Sequence, residues 1–155
     1  METVLVSITG VNLKHHFILR ELSLYFVNED ATRHYFFDRP LGLHLTREDK
    51  QTDRYTENML GGLGIFTSIP GSLNYSAHRG ILTSLGVRYS LMCVGHVTHK
   101  FLCDLLPYAD ITDIQSTTTF KYPADLPDAK CGHDHIARQC SLAKLKYLRG
   151  YVVVI

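Results

Sequence analysis

Thr3-Val4-Leu5-Val6-Ser7-Ile8-Thr9-Gly10 decides how the chain is laid out. The run is β-branched and apolar, so it reads as a central strand buried in a sheet and stopped at Gly10. Phe17 to Phe26 repeats the strand composition on the far side of a short polar loop. Asn28-Glu29-Asp30 then turns the chain, and Thr32 to Asp38 returns as a third strand halted before Pro40. These three pieces form an antiparallel meander.

Further along, Tyr75 to Leu85 has the pattern of a short helix ended by Gly86, and Val87 to Val94 that of a fourth strand. Gly95 opens a helix from about His96 to Leu106, which Pro107 ends, and Ile111 to Ile114 is a short fifth strand. A strand, a helical crossover and another strand put the fourth and fifth strands parallel. Between the meander and this unit, Thr46 is placed to cap a helix that continues through polar residues to Glu57. Gly61-Gly62-Leu63-Gly64 follows, with no Lys-Ser/Thr after it, and reads as a flexible connection and not a phosphate loop. A closing helix is expected from about His135 to Leu148, with Ile136, Cys140, Leu142, Ala143 and Leu145 on its apolar side. Tyr151 to Ile155 either packs on the domain or adds a sixth strand. The sum is one α/β domain over 1–155 with a ribonuclease H-like layout: a five-stranded mixed sheet of order 3-2-1-4-5 with helices on both faces.

Composition narrows the function classes. Apolar residues at 45% and charged residues at 20% suit an ordinary globular domain. A net charge of +1 supplies no general attraction to nucleic acid or to anionic membrane, so any such binding must come from a local patch. No apolar run is long enough for a membrane span, and no basic signal-like segment opens the chain. The four cysteines are not packed as in small secreted scaffolds. Clustered with histidine, they point to a reducing compartment, cytosol or nucleus. Cys93 and Cys103 read as ordinary buried residues.

The cluster itself is Lys130-Cys131-Gly132-His133-Asp134-His135, followed within five residues by Cys140. Thiolate and imidazole are ligands that zinc prefers, and a loop running into a helix can converge them on one ion. Around them Lys130, Arg138, Lys144, Lys146 and Arg149 interleave with Tyr147 and Tyr151. That mixture suits phosphate contacts and base stacking on single-stranded nucleic acid, and it equally describes a solvated helix face.

Several stretches together resemble the DEDD-type 3′–5′ exonucleases of the ribonuclease H-like fold. They are Val4 to Val11, Ile18 to Leu24, Val94-Gly95-His96 with Phe101-Leu102, Asp113-Ile114-Gln115-Ser116, and His135-x-Ala137-x-x-Cys140. Those enzymes hold two divalent ions with four carboxylates. Here Leu5, Ser7 and Thr9 occupy the first strand, His99-Lys100-Phe101 stands where an aspartate belongs, and Cys140 replaces the last one. Asp104 and Asp113 do not rebuild the cage. The altered set resembles the Maelstrom domain of piRNA-pathway proteins, in which a Glu-Cys-His-Cys zinc site replaces the tetrad. The resemblance implies that Glu21, Cys131, His133 or His135, and Cys140 bind a structural Zn2+. A loop position favours His133, and both histidines are kept.

The expectation is therefore a non-catalytic, zinc-stabilised domain that binds single-stranded RNA or a protein partner, in RNA silencing or viral counter-defence. Two alternatives are carried. One is a single-stranded RNA nuclease working without the two-metal site; the other is a structural or assembly protein using the fold as a scaffold.

Overall fold

The computed structural model describes residues 2–58, 62–123, 126 and 140–154. Three strands, β1 (Thr3–Asn12), β2 (Phe17–Phe26) and β3 (Ala31–Phe36), form the expected antiparallel meander. Helices α1 (Arg47–Asn58) and α2 (Ala77–Arg88) follow. Then come β4 (Ser90–Cys93), α3 (His96–Leu105), β5 (Ile111–Asp113) and the closing helix α4 (Ser141–Val154). The sheet has the order β3-β2-β1-β4-β5, with β4 parallel to both β1 and β5. No helix among the described residues is long and apolar enough to cross a membrane.

Strand β1 is central because both of its faces can be buried. Val4, Val6 and Ile8 pack with Leu82 and Leu85 of α2, with Leu102 of α3 and with Leu106 at its end. The intervening Leu5 faces the other way and packs with Tyr25, Phe120 and the α4 residues Leu145 and Leu148. Helices therefore cover both faces of the sheet.

The β1–β2 ladder is interrupted at one point. Thr9 pairs with Glu21 and Gly10 with Leu19, which leaves Arg20 as the extra residue of a bulge. Gly10 is required there, since a Cβ on it would overlap the Ile18 carbonyl oxygen across the ladder. Because the obstacle is backbone, no side chain can turn aside. Gly10→Ala is expected to cost about 1–3 kcal/mol, the range for forcing volume into a packed interior. A urea midpoint equal to that of the parent protein would contradict the close approach.

The bulge turns Arg20 inward, and it is buried to 1% exposure. Its Nε donates to the Phe37 carbonyl (2.8 Å) and Nη2 to Thr67 (2.5 Å), while Nη1 reaches Ile65 (2.8 Å) and Gly64. The connection after α1 is thus tied to the sheet, and Gly62, Leu63, Gly64 and Ile65 are buried, where the sequence suggested a flexible link. Asp53 of α1 completes the tie by accepting from the Ile65 amide at 2.7 Å. The expected Thr46 cap is present and reciprocal: Thr46 Oγ1 accepts from the Asp49 amide and Asp49 Oδ2 from the Thr46 amide, each at 3.1 Å.

Three helix limits differ from the sequence reading. Gly86 does not end α2, which continues to Arg88. A Cβ at Gly86 would meet Ala109 and Leu106 at 3.2 and 3.3 Å, so the glycine serves close packing. Cys140 lies outside α4 as its cap residue, its carbonyl accepting from the Lys144 amide at 3.1 Å. At the other end, Tyr151 to Val154 is helical, and no sixth strand forms there. Tyr151 packs on Phe120 with ring centroids 4.7 Å apart, so tertiary contact overrides the strand preference of the valines.

Candidate metal site at the start of the closing helix

The α4 side of the sheet is apolar at one end and polar at the other. Strand β1 contributes Ser7 and Thr9, β2 contributes Glu21 and Ser23, and β3 contributes His34, opposite Ser23 in the ladder. Glu21 and Ser23 are fully buried beneath the N-terminus of α4. A buried carboxylate needs donors, and Glu21 has them. Its Oε1 accepts from the Ser141 amide at 2.8 Å, in the first turn of α4, where the helix dipole also favours negative charge. Its Oε2 accepts from His34 Nε2 at 2.6 Å and lies 3.7 Å from Cys140 Sγ. The hydroxyls of Ser23 and Ser141 hydrogen-bond at 2.7 Å and pin the helix start to the sheet.

The early-strand acid and the late cysteine, 119 residues apart in sequence, therefore meet. Cys131, His133 and His135, and the basic residues Lys130 and Arg138, lie outside the described residues. The choice between His133 and His135 therefore falls outside the described residues as well.

The distances separate two roles. From zinc bond lengths of about 2.3 Å to sulfur and 2.0 Å to oxygen, tetrahedral neighbours of these types stand about 3.5 Å apart. The 3.7 Å between Cys140 Sγ and Glu21 Oε2 fits that spacing. The 2.6 Å from His34 to the same oxygen is a hydrogen bond, too short for two ligands of one ion. His34 instead has the geometry of a group that orients a ligand carboxylate from behind. Thr9 adds a further sign: its Oγ1 is buried beside Glu21 in the ladder and has no hydrogen-bond partner among the described residues. No three His, Cys, Asp or Glu side chains among the described residues are grouped to hold an ion, so Glu21 and Cys140 would need ligands from elsewhere in the chain.

The other acids are committed elsewhere. Asp113 Oδ1 accepts from the amides of Gly95 (2.9 Å) and Gln115 (3.0 Å), tying the turn between β4 and α3 to the turn that follows β5. Asp104 is exposed and pairs with Lys100 one turn earlier on α3, at 2.7 Å. Cys93 is buried as expected, and burial pushes its thiol up to about 12, so it stays protonated. Cys103 is half-buried, with its sulfur 3.5 Å from His99 Nε2.

On α4 the basic residues are unequally placed. Lys146 is exposed, Lys144 is half-buried, and the Arg149 guanidinium lies over the Tyr25 ring at 5.4 Å. Comparison of the chain with protein-family models and with curated proteins returned no match.

Proposed function

We propose that this is a ribonuclease H-like domain of Maelstrom type, held together by a structural zinc ion and acting by binding and not by hydrolysis. The observation that carries the reading is the approach of Glu21 to Cys140, two of the residues that the Maelstrom resemblance implies share an ion. Glu21 and Cys140 would hold the ion together with Cys131 and one of His133 and His135. A bound zinc with four protein ligands would clamp β2 to the start of α4 and supply folding energy. His34 and the Ser141 amide orient the Glu21 carboxylate. The domain's partner in this reading is single-stranded RNA, with Lys144, Lys146 and Arg149 contributing phosphate contacts alongside Lys130 and Arg138.

A protein-only reading of the same site has one observation in its favour. Both Glu21 oxygens already have protein donors, so carboxylate, imidazole and helix amide could form a lock without an ion. Metal content separates the two.

The RNA half is tested with a labelled single-stranded RNA over a range of salt. Affinity should fall steeply with salt, and Lys146→Glu should weaken binding and flatten the salt slope by about one. Binding that ignores salt, or no binding, would favour the scaffold reading. Cleavage of the RNA without added divalent metal, abolished by a point change, would favour the nuclease reading.

A further inference from the structure

On the other face of the sheet lies a cavity of about 540 Å³ that the metal site does not involve. It opens beyond the carboxyl ends of the parallel neighbours β1 and β4, where the chain leaves toward opposite edges of the sheet. Crevices of this kind are where open α/β sheets place ligands. The volume is in the range of small-molecule sites.

Its lining divides by chemistry. Phe17, Phe101 and Tyr75 form a half-buried aromatic wall, with Phe17 and Phe101 edge to face at 5.4 Å. Arg79, in the first turn of α2, is exposed at the rim and has no acidic partner among the described residues. Lys14 and Lys100 also line the rim, each beside a carboxylate, Glu48 and Asp104. His96 and Val97 bring the first turn of α3 to the cavity, and no side chain caps that helix. Its leading amides are therefore donors for an anion.

His78 supplies the independent sign. It is 3% exposed, lines the cavity, and its Nδ1 donates to the Tyr75 carbonyl. Burial lowers its pKa, so the ring is neutral and Nε2 carries a lone pair. No described residue donates to Nε2. Nε2 is not one of the buried atoms without a partner, so the small accessible part of this ring at the cavity includes an acceptor open to a ligand hydroxyl or amino group.

We propose that this cavity binds a nucleotide, with phosphate at Arg79 and the α3 amides, a sugar or base donor at His78 Nε2, and the base against Phe17 and Phe101. The shared chemistry is a phosphate joined to an aromatic ring, as a free mononucleotide or as the phosphorylated end of a single strand. The histidines here do not form a metal cluster, since no three such side chains among the described residues are so grouped. The inference does not rest on the zinc reading.

The test titrates the full-length chain with adenosine 5′-monophosphate at low salt, followed by calorimetry and by amide shifts. Binding with shifts at His78 and Phe101 is expected, weakened about tenfold or more in Arg79→Ala and partly restored in Arg79→Lys. Inorganic phosphate should bind about tenfold more weakly, because it leaves the aromatic wall unused. A 5′-phosphorylated ribotrinucleotide that competes better than the monophosphate assigns the site to a chain end, and one that competes worse assigns it to a free nucleotide. No binding at millimolar concentration, equal binding of phosphate, or unchanged binding in Arg79→Ala would overturn the proposal. Metal content of the same samples reports separately on the zinc site.

Discussion

Glu21→Ala is expected to be the most damaging single change in the protein. It removes the acceptor for the Ser141 amide and for His34 together, and it leaves Cys140 without the oxygen 3.7 Å away. Leaving such groups buried without their charged partner costs about 3–5 kcal/mol by itself. The proposed structural zinc would add far more, since apparent binding energies for such sites are about 10 kcal/mol or above and appear as folding energy. The total exceeds the stability of most domains of this size. The variant should therefore be largely unfolded by circular dichroism at room temperature. Glu21→Gln keeps an oxygen acceptor for the helix amide but is a poor zinc ligand, so it isolates the metal contribution. A Glu21→Gln protein as stable as the parent would leave the hydrogen-bonded lock as the whole of the site.

The second large effect is expected at Arg20. Arg20→Met preserves much of the side chain's apolar length but strips the donors from the carbonyls of Phe37, Gly64, Ile65 and Thr67. Burial lowers the pKa of Arg20, and the nearby charges of Asp38 and Asp53 raise it in opposition. Leaving buried carbonyls without their donor costs about 1–3 kcal/mol each, so a loss of about 3–5 kcal/mol is expected over the four. At roughly 2–4 °C per kcal/mol for a chain of this length, the thermal midpoint should fall by about 10 °C or more. Because the tie lies between the sheet and the connection after α1, protease should cut that connection first. A shift of only a degree or two would show that the guanidinium is not an anchor.

A gentler effect is expected with pH. His78 is buried with a lowered pKa, so between its folded value and the unfolded value near 6.5 the unfolded chain binds the extra proton. Stability from this residue is complete above that unfolded value and declines as pH falls toward the folded one. Urea midpoints at pH 7.5 and 5.5 should differ less in His78→Gln than in the parent; an unchanged difference would remove His78 as the cause.

The sheet was legible in the sequence because its signals are local. The apolar run from Thr3 to Thr9, the turn at Asn28-Glu29-Asp30 and the strand-helix-strand unit around Gly95 together specify the order β3-β2-β1-β4-β5. The meeting of Glu21 with Cys140 could not be read from periodicity, and only the resemblance singled Glu21 out from its polar neighbours. His34 was passed over because a polar residue in an edge strand looks solvated. Its signal lay in the hairpin register, which sets it diagonal to Glu21 on the same face. Arg20 was invisible for a different reason: strict alternation allows only one of two adjacent charged residues to face inward, and the bulge at Gly10 buries both. Gly86 misled because close packing there overrode its use as a helix stop, whereas the tail from Tyr151 packs on the domain, one of the two outcomes its composition allowed.

The central claim is that Glu21 and Cys140 share an ion, and X-ray absorption at the zinc edge on protein purified without added metal tests it most directly. The account predicts one zinc per chain, with sulfur at about 2.3 Å and lighter oxygen or nitrogen neighbours at about 2.0 Å. It also predicts that the sulfur signal is diminished in Cys140→Ser. A folded parent protein that carries no zinc, or a first shell containing no sulfur, would contradict it.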